Sequence, residues 1–381
     1  MAPKSGLAAQ AGFATETTVN VPATATRFLP LVSESMGQKI ERLESKGIIA
    51  GKRVLASTQW AAGGRTYEGD VQLEMYQRNM GQLLKHMLGT VTTTGSGPYV
   101  HTGIPGDLSG LSFTAQFGIP DQAGVVQPVT YSGCKVQSWE LAVKQGEIAT
   151  LGLTLQAMNE ILYRTTSDLA TNSNTAITSA TAAFTADDIG KPVSGTNIAA
   201  ATTIVAVTSA TAATLSQNAT GTGTGGTLVL GLALAAASYA TLTPLHFLHG
   251  AVTIAGASVP VSEATISGDN GLDVDRRFLG QAGISEPREA ELRKFDGSLT
   301  CEFNDLTQYR RFLNASEVAL VLTLTSGADI VTVTMNVRFD GETPAVDGTG
   351  IVGQSIPFKA VASGADSTAI TIVLTNADAA I

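Results

Sequence analysis

The sequence has little charge, few aromatic side chains and almost no cysteine, and each shortage excludes a class of protein. Charged residues make up 14% of its 381 residues and aromatic residues 6%. The two cysteines, Cys134 and Cys301, are too few for a disulfide framework and lack the close spacing of zinc ligands. Cys301 alternates with polar neighbours in a strand-like run, so we expect it to be a buried thiol.

The residue patterns that carry enzyme chemistry are also missing. None of the four histidines is placed beside an obvious nucleophile and acid. His246 and His249 lie three apart in a strand-like run, where we expect them to point to opposite faces and bind no metal. Gly221–Gly226 fits the dinucleotide pattern GxGxxG, but another strand-like run follows where that motif needs a helix. Three aspartates within 269–275 lack EF-hand spacing and indicate a solvated loop, with weak calcium binding as the alternative. We therefore predict no enzyme, no cofactor and no metal site.

The charge balance and the hydropathy pattern exclude two further classes. A net charge of −9 argues against a protein that binds the phosphates of nucleic acid, although nucleic acid could still pass along the protein without being bound. Residues 228–248 are rich in alanine and leucine, but polar side chains interrupt them, so we expect no membrane span. The start, Met1–Gly6, leads into no apolar run, so we expect no secretory signal.

What the sequence does contain is one strand–helix stretch that occurs twice. Residues 67–76 alternate apolar and polar side chains, which is the period of a half-buried strand. Residues 77–88 then carry apolar side chains at helical spacing. Residues 295–303 repeat the strand pattern, and a second helical pattern runs from there to 313.

The two copies align over the strand without an insertion. When Tyr67 is placed on Phe295, Glu74 falls on Glu302. We interpret the likeness as the tandem duplication of one small β-rich domain. The alternative is a chance recurrence of an aromatic–acid–glycine turn before a strand and a helix. The matching segments outside the strand are 42–48 with 277–284, 129–133 with 337–341, and the final strands 148–158 and 369–375.

A segment of different composition separates the copies. Residues 171–231 hold three charged side chains and are dominated by threonine, alanine, serine and glycine. Short apolar β runs between turn signals favour a small all-β module over the alternative, a disordered linker. We therefore divide the chain into a first domain with an N-terminal arm at 1–168, an inserted module at 169–232 and a second domain at 233–381.

Several local features are predicted from composition alone. Phe13 and Phe28 should anchor the extended N-terminal arm. Residues 89–110, rich in glycine and proline, are expected to form a loop, and 263–287 should be the long loop of the second copy.

Three short motifs make the chain similar to a known family. They are Gly69–Met75 with helix Gly81–Gly89, then Tyr131–Val136 leading to Gly146–Leu151, and Gly268–Leu272. Over residues 10–165 and 240–375 the chain resembles the major tail tube proteins of long-tailed, non-contractile bacteriophages.

The resemblance implies a mainly β protein with two tail tube domains. Each would be a β-sandwich or barrel flanked by one helix, with the insert, immunoglobulin-like or similar, displayed outside. Six such domains close a ring in the family, so three chains with two domains each would make a pseudo-hexameric ring. Stacked rings would form a hollow tube that conducts DNA during ejection into the host.

The resemblance also implies partners and a location. The partners would be further copies of the chain, as trimers or hexamers, with tail tip, tail terminator and tape-measure proteins, and genomic DNA in the lumen. The protein would lie in the virion tail after assembly in the host cytoplasm, without a membrane.

The polar side of the repeated strand is the predicted lining of that tube. If strands of neighbouring domains pair into one barrel, this side faces the lumen, where carboxylates repel DNA phosphates. The alternative is that these are ordinary acids of the outer surface. The predicted lumen residues are Gln72, Glu74, Thr300 and Glu302. Two loops, 36–60 and 269–291, are the candidates for contacts between rings. Their named residues are Lys39, Glu41, Arg42, Asp273, Asp275 and Arg277.

Two other functions stay open at the level of sequence. A bacterial surface or adhesin-like β protein would use the insert as its binding module, but it should carry a secretory signal or an anchor. A contractile-tail inner tube or a secretion-system tube ring generally carries one tube domain, so the duplication argues against it.

Overall fold

The computed structural model describes residues 4–240, 243–341, 346, 349–363 and 368–381. Strands take up 52% of the chain and helices 7%, which confirms the mainly β fold. Nineteen strands join one sheet, six others close a small barrel, and two form a separate ribbon.

The first unit comprises the elements before the barrel. Its bounds are β1 Gln10–Thr15, β2 Arg27–Leu29, β3 Leu31–Glu34, β4 Gly37–Glu44, β5 Trp60–Glu74, α1 Gly81–Leu88, β6 Gly89–Thr94, β7 Tyr99–Pro105, β8 Phe113–Pro120, β9 Val126–Lys144, β10 Thr150–Ala157 and β11 Asn159–Leu162. Phe13 and Phe28, the two expected anchors of the arm, are both buried, and β1 pairs with β8. The N-terminal arm is therefore part of the first unit's sheet.

The inserted barrel follows, with an apolar core of its own that includes Ile204 and Leu228. Arg164 in its first strand pairs with Leu230 in its last, so the chain enters and leaves at neighbouring positions. The predicted glycine-rich turn at Gly221–Gly226 is instead strand, since all but its first residue belong to the last strand, and no helix follows it. The strands are β12 Arg164–Asn172, β13 Ala176–Thr178, β14 Pro192–Gly195, β15 Thr202–Ser209, β16 Ala212–Leu215 and β17 Thr222–Leu230.

The second unit comprises the elements after the barrel. Its bounds are β18 Gly250–Ile254, β19 Ala257–Ser258, β20 Val261–Asp269, β21 Leu272–Asp273, β22 Arg288–Glu289, β23 Lys294–Glu302, α2 Thr307–Leu313, β24 Val318–Ser326, β25 Asp329–Phe339, β26 Gly353–Ala360 and β27 Ile370–Asn376. Cys301 is 7% exposed on the apolar side of β23, as its alternation with polar neighbours predicts.

The order of strand pairing is the same in both units. In the first unit β5 pairs with β10, β10 pairs with the C-terminal half of β9, and β11 pairs with the N-terminal half. In the second unit β23 pairs with β26, β26 with the end of β25, and β27 with the beginning of β25. The hairpins β8–β9 and β24–β25 also correspond. One topology therefore occurs twice.

The two units share a sheet and a core. β9 of the first unit pairs with β20 of the second over seven residues, from Ser138 to Lys144. β7 of the first unit also pairs with β27 of the second. Trp139 on β9 fills the space beside Gly268 on β20, where a Cβ atom would lie 2.4 Å from the indole ring. Buried apolar residues of both units form one continuous cluster.

Close backbone approach explains the glycine in the repeated aromatic–acid–glycine motif. A Cβ atom on Gly69 would lie 2.5 Å from the carbonyl oxygen of Ser35, and one on Gly297 would lie 2.3 Å from that of Thr265. Both distances are below van der Waals contact, so only glycine fits without displacing the neighbouring strand.

Two predicted loops contain strands. Residues 89–105 form the hairpin β6–β7, because Val91 and the threonines around it pair with β7 although glycine and proline surround them. Residues 263–269 belong to β20, whose inward side chains Ala264 and Ile266 are buried between β9 and β23. The exposed loop of the second unit therefore begins only after Asp269.

Two other expectations were wrong. His246 and His249 do not point to opposite faces, because they lie on a short 3-10 turn where their rings stack 3.9 Å apart. The match of 129–133 with 337–341 is displaced. Leu155 and Phe358 are equivalent, because they pair with the glycines of the repeated motif, Gly69 and Gly297. Val136 pairs with Leu155 and Phe339 with Phe358, so Phe339 corresponds to Val136.

Candidate lumen face and assembly surfaces

One side of the shared sheet is polar over six consecutive strands. Along β5, β10, β9, β20, β23 and β26, residues that point into the core alternate with residues that are exposed or half-buried. This alternation is the pattern of a sheet with one dry face and one wet face. The polar side is concave where β5, β10, β9, β20 and β23 line an open depression of about 550 Å3.

Polar residues are aligned in rows across the strands. Starting from Gln72 on β5, the paired residues on the next strands form one row. They are Gly152 on β10, Glu140 on β9, Ser267 on β20 and, four strands away from β5, Asp296 on β23. Sequence alignment makes Thr300, not Asp296, the equivalent of Gln72. Equivalent positions of the two units are therefore displaced by four residues along the strand over four strand steps.

All four predicted lumen residues lie on this polar face. Gln72 and Glu74 are half-buried on β5, where Glu74 accepts a hydrogen bond from the hydroxyl of Tyr76 at 3.2 Å. Thr300 and Glu302 occupy the same side of β23, and Glu302 is exposed. The structure thus joins them on one surface, although Glu74 and Glu302 stand in different rows.

Acidic side chains outnumber lysines on this face. The acids are Glu68, Asp70, Glu74, Glu140, Glu263, Asp269, Asp296 and Glu302, and the lysines are Lys39, Lys144, Lys294 and Lys359. Lys39 is paired with Glu68 at 2.5 Å, which neutralises part of the positive charge at the sheet edge. A surface of this composition repels polyanions.

The first predicted inter-ring loop begins as a strand. Lys39, Glu41 and Arg42 lie on β4, which pairs with β5. Arg42 stacks over Trp60 at 4.5 Å from the ring centroid, so it stiffens the hairpin below its tip. The tip itself, residues 45–59, projects from the sheet.

The second predicted loop contacts the base of this hairpin through one of its three named residues. Arg277 donates hydrogen bonds to the carbonyl oxygen of Arg65 at 3.2 Å and to the hydroxyl of Thr66 at 2.7 Å. Asp275 is exposed and 4.0 Å from Arg277, and Asp273 is exposed on β21. The structure therefore brings the two loops together at one end of the sheet.

Sequence reasoning missed a buried ion pair that holds the second loop. The ammonium of Lys135 on β9 lies 2.6 Å from the carboxylate of Glu286 and 2.7 Å from the carbonyl oxygen of Leu108. Burial lowers the pKa of Lys135, while the lysine lowers the pKa of Glu286 against its own partial burial. Lysine at an otherwise buried strand position was the available signal.

Exposed apolar residues at the same end were also missed. Ile48 and Val54 at the tip of the first loop are 98% and 80% exposed, and Leu279 of the second loop is fully exposed. Large apolar side chains gathered at one edge of a molecule indicate a surface that contacts another protein.

Comparison with known families identifies the family of the chain. A family model described as phage tail tube protein matches residues 6–360. The chain belongs to this family. No curated protein matches it.

As a phage tail tube protein, the chain is a structural component of the virion tail and assembles with itself into a tube. In the described part of the chain, no helix is long and apolar enough to cross a membrane. Within the same residues, no three metal-binding side chains are grouped so that they could hold an ion.

Proposed function

We propose that three chains of this tail tube protein close one pseudo-hexameric ring and that stacked rings conduct DNA. The observation that carries the proposal is the displacement between equivalent positions of the two units. Four residues advance about 13 Å along a strand and four strand steps span about 19 Å, which corresponds to a strand tilt of about 35°. Closed barrels have strand tilts of this size.

The same geometry sets the size of the opening. With four strands from each unit, three chains contribute about 24 strands to one barrel, and at that tilt the barrel is about 45 Å across between backbones. This width leaves room for duplex DNA even after the space taken by the inward-pointing side chains is subtracted. The barrel interior would be the concave polar face, so Gln72, Glu74, Thr300 and Glu302 would line the lumen.

The pairing of β9 with β20 supplies a template for the contact between chains. β20 occupies in the second unit the place that β3 and β4 hold in the first, since each lies beside the repeated strand. β3 and β4 pair only with β5 among the described strands, so their outer edge is open. A neighbouring copy that adds a strand there would satisfy this edge.

The two loops at one end of the sheet are suited to stacking. Apolar Ile48, Val54 and Leu279 project there and would lose their contact with water against the next ring. Residues Lys39, Glu41, Arg42, Asp273, Asp275 and Arg277 would then act mainly by shaping and supporting this surface. Tail tip, tail terminator and tape-measure proteins would meet the ends and the interior of the tube, after assembly in the host cytoplasm.

The proposed domain division is a first domain at 1–168, an inserted module at 169–232 and a second domain at 233–381. The order of strand pairing, which is the same in both units, supports this division, and the separate apolar core of the inserted six-stranded barrel supports the module. The first strand of the inserted barrel begins at Arg164, which lies before the proposed boundary at 168.

Electron microscopy of the purified protein tests the ring. We expect hollow filaments or rings with three chains per ring, and mass photometry of short assemblies should give masses in multiples of three chains. Rings with six chains, or a protein that stays monomeric at every concentration, would refute the trimer.

A further inference from the structure

The two helices occupy equivalent positions but differ in exposure. Each follows its unit's repeated strand and packs beside the equivalent strand, α1 on β9 and α2 on β25. Nearly all of α1 is buried, whereas no residue of α2 is. Counted from the start of each helix, Leu306 and Leu313 take the places of Met80 and Met87. The methionines are 3% and 4% exposed, and the leucines are 44% and 60% exposed.

The second unit covers the outer side of α1. A small apolar cavity of about 20 Å3 lies where the helix meets strands of both units, so these side chains are packed together with little space between them. β7 also crosses α1 closely, since a Cβ atom on Gly103 would lie 2.9 Å from Leu84. The residues from the helix are Met80, Leu84 and Met87, and those from β25 and β27 are Val331, Ile372 and Leu374.

The inner sides of the two helices are alike. His86 of α1 contacts Phe113 of its own unit, with ring centroids 4.8 Å apart. The equivalent residue of α2, Phe312, packs against the core of its own unit beside Phe339. The helices are thus oriented in the same way, and only the outer side of α2 lacks the cover that α1 has in the described chain.

We infer that the Leu306–Leu313 side of α2 is covered by the β9–β11 corner of a second copy of this chain. β9 and β11 pair as β25 and β27 do, so this corner is the first unit's equivalent of the surface that covers α1. It carries an exposed apolar residue, Leu162, at 53% exposure. The inference rests on the proposed ring, in which the second unit of one chain meets the first unit of the next.

Charge at the two surfaces is complementary. Arg310 is exposed on α2 at the helix position that Leu84 holds in α1. Glu160 on β11 is half-buried and accepts a hydrogen bond from Tyr131 at 3.0 Å. An arginine between two leucines therefore meets a surface that offers an apolar side chain and a carboxylate.

Replacing both leucines by aspartate tests the contact. The Leu306→Asp/Leu313→Asp variant should stay a folded monomer, with a melting temperature close to that of the wild-type monomer, and should form no rings. Val205→Asp, at a 49% exposed site on the barrel, is the matched control and should assemble normally. If the double variant forms tubes as readily as the wild type, the inference is wrong and the ring proposal stands. If the wild type forms no rings, the ring proposal itself fails.

A photo-cross-linking amino acid at position 313 gives a readout that does not depend on disrupting assembly. In wild-type-like tubes, the cross-linked peptides should come from 126–132 or 159–162 of another chain. Peptides from the loops at 45–59 or 270–291 would assign α2 to contacts between rings and overturn the inference. Cross-links only within one chain would overturn it as well.

Discussion

At the scale of single residues, the carboxylates of the concave face set how the tube would treat DNA. Glu74 and Glu302 come from equivalent places in the two units, and each would recur three times around the proposed ring. Their charge acts on phosphates across water and is screened over about 8 Å at physiological salt. The carboxylates therefore repel only DNA that passes close to the tube wall.

Reversing these two charges should slow DNA passage without preventing assembly. Because Glu74→Lys/Glu302→Lys places lysines on a wall where phosphates pass, we expect tubes of normal appearance and slower ejection, measured as DNA release from virions over time. The matched Glu74→Gln/Glu302→Gln variant should eject DNA at a rate between those of the wild type and the lysine variant. Ejection at the wild-type rate in the lysine variant would contradict an acidic lining at these positions.

His86 links the stability of the fold to pH. It is 2% exposed, its ring lies against Phe113, and burial together with Lys85 and Lys135 lowers its pKa from 6.5 to about 3. The folded chain keeps the ring neutral while the unfolded chain takes up a proton below pH 6.5. Its contribution to stability is therefore complete above pH 6.5 and is lost as the pH falls from there towards 3.

Removing this imidazole should flatten the acid side of the stability curve. His86→Leu loses the hydrogen bond to Thr15, so the variant should melt somewhat lower at pH 7. Between pH 7 and pH 4 its melting temperature should fall by several degrees less than that of the wild type, measured by circular dichroism. An equal fall in both proteins would show that His86 does not titrate on unfolding.

At the scale of elements, the repeated glycine controls how closely neighbouring strands approach. Gly297→Ala would place a methyl group against the Thr265 carbonyl oxygen and the Phe358 ring. Because both neighbours are held in the sheet, we expect a loss of about 1–3 kcal/mol in the free energy of unfolding. Gly353→Ala, in a strand position with open space around it, should change stability little. Equal effects in the two variants would argue against steric control.

Elements with strong local patterns were predictable from the sequence, and those defined by distant partners were not. The alternation in 67–76 and 295–303 identified both repeated strands, and Gly89 ends α1 with a φ of +106°. The β6–β7 hairpin was missed because glycine and proline around it suggest a loop, and because β27, which pairs with β7, comes from the other end of the chain. The stacking of His246 on His249 depends on a 3-10 turn that alternation does not reveal.

The candidate site was predictable in its side-chain type but not in its layout. Period-2 alternation placed Glu74 and Glu302 each on the polar side of its own strand, and the barrel that the family resemblance implies predicted one shared face. Their displacement by four residues follows from the pairing of β9 with β20, which joins residues more than one hundred positions apart. The packing of Arg277 on Thr66 is of the same long-range kind.

At the scale of the whole molecule, the barrel is attached so that the main sheet does not depend on it. Replacing 165–229 by a short glycine–serine linker should leave a folded chain that forms tubes, because Arg164 and Leu230 are neighbours. The ion pair between Arg65 and Asp187, whose side chains are 19% and 45% exposed, would be lost, so we expect a lower melting temperature but the same fold. Microscopy should show thinner tubes of the same repeat. A variant that aggregates would mean that the barrel supports the main fold.

The continuous pairing of β9 with β20 has a consequence for the kinetics of tube growth. In the proposed ring, half of the six seams close while each polypeptide folds, so only the other three require molecules to find one another by diffusion. Because fewer molecules associate, less translational and rotational entropy is lost for each ring that forms. Ring nucleation should therefore rise with about the third power of protein concentration, which permits growth in dilute solutions where a six-molecule ring would rarely start.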